Sequence, residues 1–130
     1  MVAANSPLGG NNIMKIHVER LGKTFDVKPT NKVIRSVYQY QLDSAKLSDV
    51  KNKKAVEIFS NAIAQIDRTE NFLSQTLGLS KKESEKLDDE FELNDISEMA
   101  NYVAQRLMGM SDEDIKESEE KSSEGTTPKK

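Results

Sequence analysis

Cysteine and tryptophan are absent from the 130 residues, histidine occurs once, and three tyrosines with four phenylalanines are the whole aromatic complement. Without cysteine there is no disulfide, no thiolate nucleophile and no zinc–thiolate site. The lone imidazole, His17, cannot build a zinc site by itself, and it falls on the polar face of a predicted strand. No stretch approaches the roughly 18 consecutive apolar residues of a membrane span, and the first residues lack the basic segment and apolar block of a secretory signal. Positive charge is not in excess either: the net charge is -3 and the isoelectric point about 5.3. Such a field repels phosphate backbones and anionic lipid, so nucleic acid and membrane are not expected partners.

Known motifs for catalysis or cofactors are also lacking. Gly9 and Gly10 belong to no G-x-G-x-x-G or Walker pattern, and the other glycines stand singly at turns. The acidic run Asp88, Asp89, Glu90 and Glu92 fails as a calcium loop, because Leu93 occupies the place where such a loop needs glycine. No metal and no cofactor is expected, and the chain does not read as an enzyme. Lys51, Lys53 and Lys54 form the densest basic cluster, with no further basic stripe beside them for a nucleic-acid backbone to follow.

What is present is patterned apolar surface. Met14, Ile16 and Val18 alternate with Lys15, His17 and Glu19, then Phe25 and Val27 alternate with Thr24, Asp26 and Lys28. Period two predicts two strands, and Gly22 between them suits a tight turn with positive φ. After Pro29 the period changes to that of a helix. Thr30 or Asn31 caps a first predicted helix with its stripe on Val33, Ile34, Val37, Tyr38, Leu42 and Ala45. Ser48 caps a second, with a stripe through Ala55, Ile58, Phe59, Ala62, Ile63, Ile66 and Leu73.

Gly78 stops the second helix and Ser80-x-x-Glu83 has the form of a capping box for the next. Asn94 caps a further helix with Ile96, Met99, Ala100, Val103 and Leu107 on one face, and Gly109 ends it. Ser111 and Asp114 mark the start of a last short, exposed helix to about Ser118. The fold class that follows is α+β, mainly α: an N-terminal β-hairpin packed on a small helical bundle, with disordered termini. In domain terms, residues 1–13 are a leader without structure, 14–110 the folded domain, and 111–130 a short helix and an acidic tail with nothing to bury.

With catalysis set aside, apolar contact is the remaining chemistry. The candidate partner-binding residues are Tyr38, Tyr40, Met108 and Met110. Tyr40 lies off the stripe that holds Val33 and Val37, and the two methionines lie near a helix end. Adaptable methionines and amphipathic tyrosines suit a surface that binds another protein.

The strand-turn-strand opening MKIHVERLGKTFDV, from Met14 to Val27, followed by the helical segment LGLSKKESEKLDDEFELNDISEMANYVAQRLMGM, from Leu77 to Met110, resembles the tail assembly chaperones of long-tailed phages and prophages. The resemblance implies a non-catalytic protein of the host cytoplasm. Its implied partners are the tape measure protein and the major tail tube protein, with self-association also open. Two other readings of the residues remain: a small helical DNA-binding regulator, since Gly78 joins two predicted helices, and an antitoxin-like or adaptor module that binds protein.

Overall fold

Two five-residue strands, β1 (Met14–Val18) and β2 (Lys23–Val27), pair antiparallel in a computed structural model that describes residues 13–49, 51 and 53–118. The register sets Ile16 opposite Phe25 and His17 opposite Thr24. Period-two alternation then sends Ile16, Val18, Phe25 and Val27 into the core and leaves Lys15 paired with Asp26 at 2.9 Å on the outer face. A 3₁₀ turn, Glu19–Leu21, and Gly22 at φ 62° close the hairpin, as the sequence predicts. Two strands alone are marginal in water, so burial of that inner face holds the hairpin in place.

Among the described residues five helices follow: α1 (Asn31–Leu47), α2 (Ala55–Leu77), α3 (Lys81–Glu90), α4 (Leu93–Leu107) and a short α5 over 112–118. Thr30 caps α1 by accepting from the Val33 amide. The Ser80 box is complete, since Glu83 N–H donates to the Ser80 hydroxyl and Ser80 N–H donates to the Glu83 carboxylate. Ser111 and Asp114 repeat that arrangement ahead of α5. α4 carries the most continuous buried face, Ile96, Met99, Ala100, Val103, Ala104 and Leu107, which sits against β1, α1 and α2. At the hairpin's turn, Arg20 donates to Asp95 and Glu98 of α4, and Lys23 to Glu83 of α3. These exposed pairs orient the hairpin more than they stabilise it, being worth about 0.2–1 kcal/mol each.

Several expectations are corrected. α2 starts at Ala55, not after Ser48, which instead closes α1 by donating to the carbonyls of Ser44 and Ala45. α4 starts at Leu93, two residues before the expected position, where the Asp95 carboxylate accepts from the Glu92 amide. α5 is not wholly exposed: Ile115 is buried near Val18, Met99 and Tyr102. Tyr102 and Arg106 also both donate to Asp112, which ties α5 back along α4.

The larger corrections concern α1 and α2. The expected α1 stripe is rotated, so that Tyr40 is buried at 6% exposure while Tyr38 stands 56% exposed and Leu42 with it. In the first half of α2 the expected stripe is bare, with Phe59 67% exposed and Ile63 62%. The cause is a partly polar seam between the helices. Tyr40 stacks on Phe72 at 4.6 Å between centroids, and its hydroxyl meets that of Thr69 at 3.3 Å. Because Thr69 already donates to the Gln65 carbonyl, the Tyr40 hydroxyl is the donor. Gln65 reaches Ser44 at 3.0 Å, and Arg68 reaches Asp43 at 3.1 Å. Hydropathy cannot anticipate a helix face that is turned inward by hydrogen bonds. The expected leader, apart from exposed Ile13, and the tail beyond Ser118 lie outside the described residues.

Between α2 and α3, burial pushes the Glu70 carboxyl up to about 7, helped by a hydrogen bond with Asp88 and by the charges of Asp88, Asp67 and Asp89. A carboxyl raised above its ordinary 4.5 takes up a proton on folding, so between those values stability increases as pH falls. Glu83 is shifted the other way, chiefly by the Ser80 amide and then by Lys23, and its contribution is lost only as pH drops below the ordinary 4.5. The windows do not overlap. The thermal midpoint is therefore expected to rise as pH is lowered from about 8 to about 5, and Glu70→Gln to flatten that rise. A flat wild-type profile, or an unchanged slope in the variant, would contradict this assignment.

The packing gives a second expectation. Leu73 is fully buried, so Leu73→Ala costs about 2–5 kcal/mol in chemical denaturation. Phe59→Ala, at an exposed position, costs about 0.5 kcal/mol or less. The reverse ranking would show that the first half of α2 belongs to the core.

Candidate partner-binding surface

α1 and α2 run antiparallel, and their seam fixes which levels face each other: Tyr40 with Thr69 and Phe72, Asp43 with Arg68, Ser44 with Gln65. α4 ends close to the first of these levels. Just past its last residue, Met108 Sδ lies 3.8 Å from the Gln41 side-chain amide. Gly109, at φ 100°, then turns the chain back toward α5. Above this level α1 and α2 continue as a two-helix arm, none of whose described residues belongs to the buried core cluster.

The arm exposes the apolar residues that a core would normally hide. Val56 is 74% exposed, and Ile58, Phe59 and Ile63 are exposed beside it on α2. Tyr38, Leu42 and Ala45, one helical turn apart, are exposed on α1. Scattered apolar side chains on a surface mean little, but several on two adjoining helices form a patch of the kind that marks an interaction site.

Of the four residues singled out from sequence, Tyr38 and Met108 are exposed, Met110 is half-buried, and Tyr40 is inside. Tyr40 is thus removed from the candidate surface, because its ring and hydroxyl are both used in the α1–α2 seam. The others stand around the base of the arm, where Gln41 and Met108 meet. Sequence reasoning missed Val56 altogether and placed Phe59 and Ile63 in the core. The signal that could have separated them was the run Gln65, Arg68 and Thr69, polar residues on the side of α2 that meets α1.

A second concavity, of about 580 Å³, lies between β1, α4 and α5 and is lined by Arg20, Glu98, Tyr102, Asp112 and Lys116 among others. Arg20 is already bound to Glu98, and Tyr102 to Asp112. Burial raises the Tyr102 hydroxyl above its ordinary value, with the Asp112 hydrogen bond acting in the same direction. The charged groups here hold α5 and the hairpin against α4. His17, on the rim, hydrogen-bonds Thr24 across the strands at 2.9 Å on the solvent side. Among the described residues, no three histidine, cysteine, aspartate or glutamate side chains come together to hold a metal ion. Among the same residues, no helix is long and apolar enough to cross a membrane.

No curated protein and no solved structure matches the chain at a significant level. A family does: the model of the phage tail assembly chaperone proteins, TAC, matches residues 14–123, from the first residue of β1 to beyond the last described residue of α5. That span takes in the hairpin, the bare arm and all five helices, so the chain belongs to the family of phage tail assembly chaperone proteins.

Proposed function

We propose that the protein is a non-catalytic chaperone of tail assembly that holds the tape measure protein and promotes polymerisation of the tail tube around it in the host cytoplasm. Its partners on this reading are the tape measure protein and the major tail tube protein of a long-tailed phage or prophage. Family membership supports the class of activity. The observation that carries the mechanism is the apolar arm, exposed on a body whose core is otherwise closed.

A tape measure protein is a long chain with apolar helical stripes that would aggregate if left bare. A chaperone for such a chain needs apolar surface of its own, held open by a fold that does not collapse on it. The arm meets this requirement, because the Tyr40–Thr69 and Ser44–Gln65 contacts keep α1 and α2 together without using Phe59 or Ile63. Tyr38, Met108 and Met110 extend the contact surface at its base.

The DNA-binding alternative fares worse. Lys81, Lys82 and Lys86 on α3 share that helix with Glu83, Glu85, Asp88, Asp89 and Glu90, so the helix after Gly78 has no net positive charge to offer a phosphate backbone.

Co-expression of the tagged protein with the tape measure protein and the major tail tube protein tests the proposal. The expected result is a soluble complex containing the tape measure protein, which precipitates when expressed alone. Equal solubility with and without the chaperone, and no co-purification of either tail protein, would overturn it.

A further inference from the structure

The bare strip on α2 is one end of a longer one. Val56, Phe59, Ile63 and Ile66 are spaced three, four and three residues apart, and the same alternation continues through Glu70 to Leu73 and Leu77. Alternating steps of three and four lay a single straight strip along a helix, the pattern by which a second helix packs knobs into holes. At the C-terminal end the strip is occupied, with Leu73 and Leu77 buried in the core that α4, α3 and the hairpin build around α2. At the N-terminal end it is open, and it opens where α4 stops. The groove between α1 and α2 above Gln41 therefore continues an interface that the fold itself fills lower down.

Its rim is basic. Lys46, Lys51, Lys53 and Lys54 are all exposed, and none takes part in an ion pair among the described residues. The nearby carboxylates are Asp49, which accepts from the Lys51 amide, and Glu57, which accepts from the Lys54 amide. Four lysines against two engaged carboxylates give this end of the molecule a positive charge on a chain whose net charge is -3.

We propose that the groove receives an amphipathic helix of a partner protein, placed in line with α4, whose apolar stripe covers Val56, Phe59 and Ile63 and whose flanks are acidic. These three exposed residues, with half-buried Ile66 beside them, are far fewer than the roughly 20–30 residues a side of a standard interface between folded proteins. They do match the anchors at three- and four-residue steps by which a single helix is held in a groove. A second copy of this chain is a poor occupant. Among its described helices α3 and α5 are the most acidic, and their apolar anchors, Leu87 and Ile115, are both buried. The identity of the protein that carries the helix rests on the reading given under Proposed function; the groove and the chemistry of its occupant do not.

Two fluorescent synthetic helices test this by anisotropy against the full chain, both with leucine at the strip positions, one flanked by glutamate and the other by lysine. The glutamate peptide is expected to bind at least about tenfold more tightly than the lysine peptide at low salt, with the gap narrowing as salt is added. Phe59→Glu, at a position exposed enough to preserve the fold, is expected to weaken glutamate-peptide binding by about tenfold or more with an unchanged circular dichroism spectrum. Equal binding of the two peptides, no binding of either, or binding indifferent to Phe59→Glu would overturn the inference. So would sedimentation showing a wild-type dimer that Phe59→Glu separates, since the groove would then be a contact between copies. If tail proteins co-purify while the glutamate peptide fails, this inference falls and the proposed function stands. If the peptide binds at Phe59 while no tail protein co-purifies, the reverse holds.

Discussion

The hydrogen bond from Tyr40 to Thr69, under the stacked rings of Tyr40 and Phe72, sets the rotation of α1 on α2, and the exposed surface follows from that rotation. With Tyr40 inside, Tyr38 and Leu42 must point outward. A second constraint is length. α2 has 23 residues and α4 has 15, so at 1.5 Å per residue α4 spans about 22 Å beside a helix of about 34 Å. Met108, just past the end of α4, meets Gln41 near the level of Thr69, so α4 stops short of the first half of α2. That half is left beside α1 alone, and because their seam is partly polar, the apolar residues of both helices stay on the outside.

An exposed apolar arm is a liability for a free protein, and two features limit it. The lysines at the tip make like-charged arms repel one another. The polar seam also keeps the arm from depending on its apolar side chains for its own structure, so the surface can remain open until a partner arrives. Ordering the groove in advance lowers the entropic cost that a binding partner must overcome.

Much of the fold was legible in the sequence. Alternation identified both strands, Gly22 and Gly78 marked turns that do adopt positive φ, Ser80 and Ser111 marked helix starts, and the stripe of α4 was read correctly apart from Ala104. These are local signals, written in neighbouring residues. The candidate surface was less legible because hydropathy records which residues avoid water without saying whether this chain or another covers them. Phe59 and Leu73 lie on one heptad strip of α2, yet one is bare and the other fully buried. The difference is the length of α4 and the level at which it meets Gln41, a tertiary fact. Tyr40 was misplaced for a related reason: its hydroxyl needs a partner when buried, and Thr69, far along the chain, supplies it.

On the function proposed above, the arm is the surface on which a tail protein is held. Hydrogen–deuterium exchange on the chaperone alone and in complex with the tape measure protein tests it most directly. Backbone amides of the arm, in residues 55–66 and 42–47, are expected to exchange readily in the free protein and to become protected in the complex, while those of 69–77 are slow in both. Protection confined to the hairpin and α5, with the arm unchanged, would contradict it.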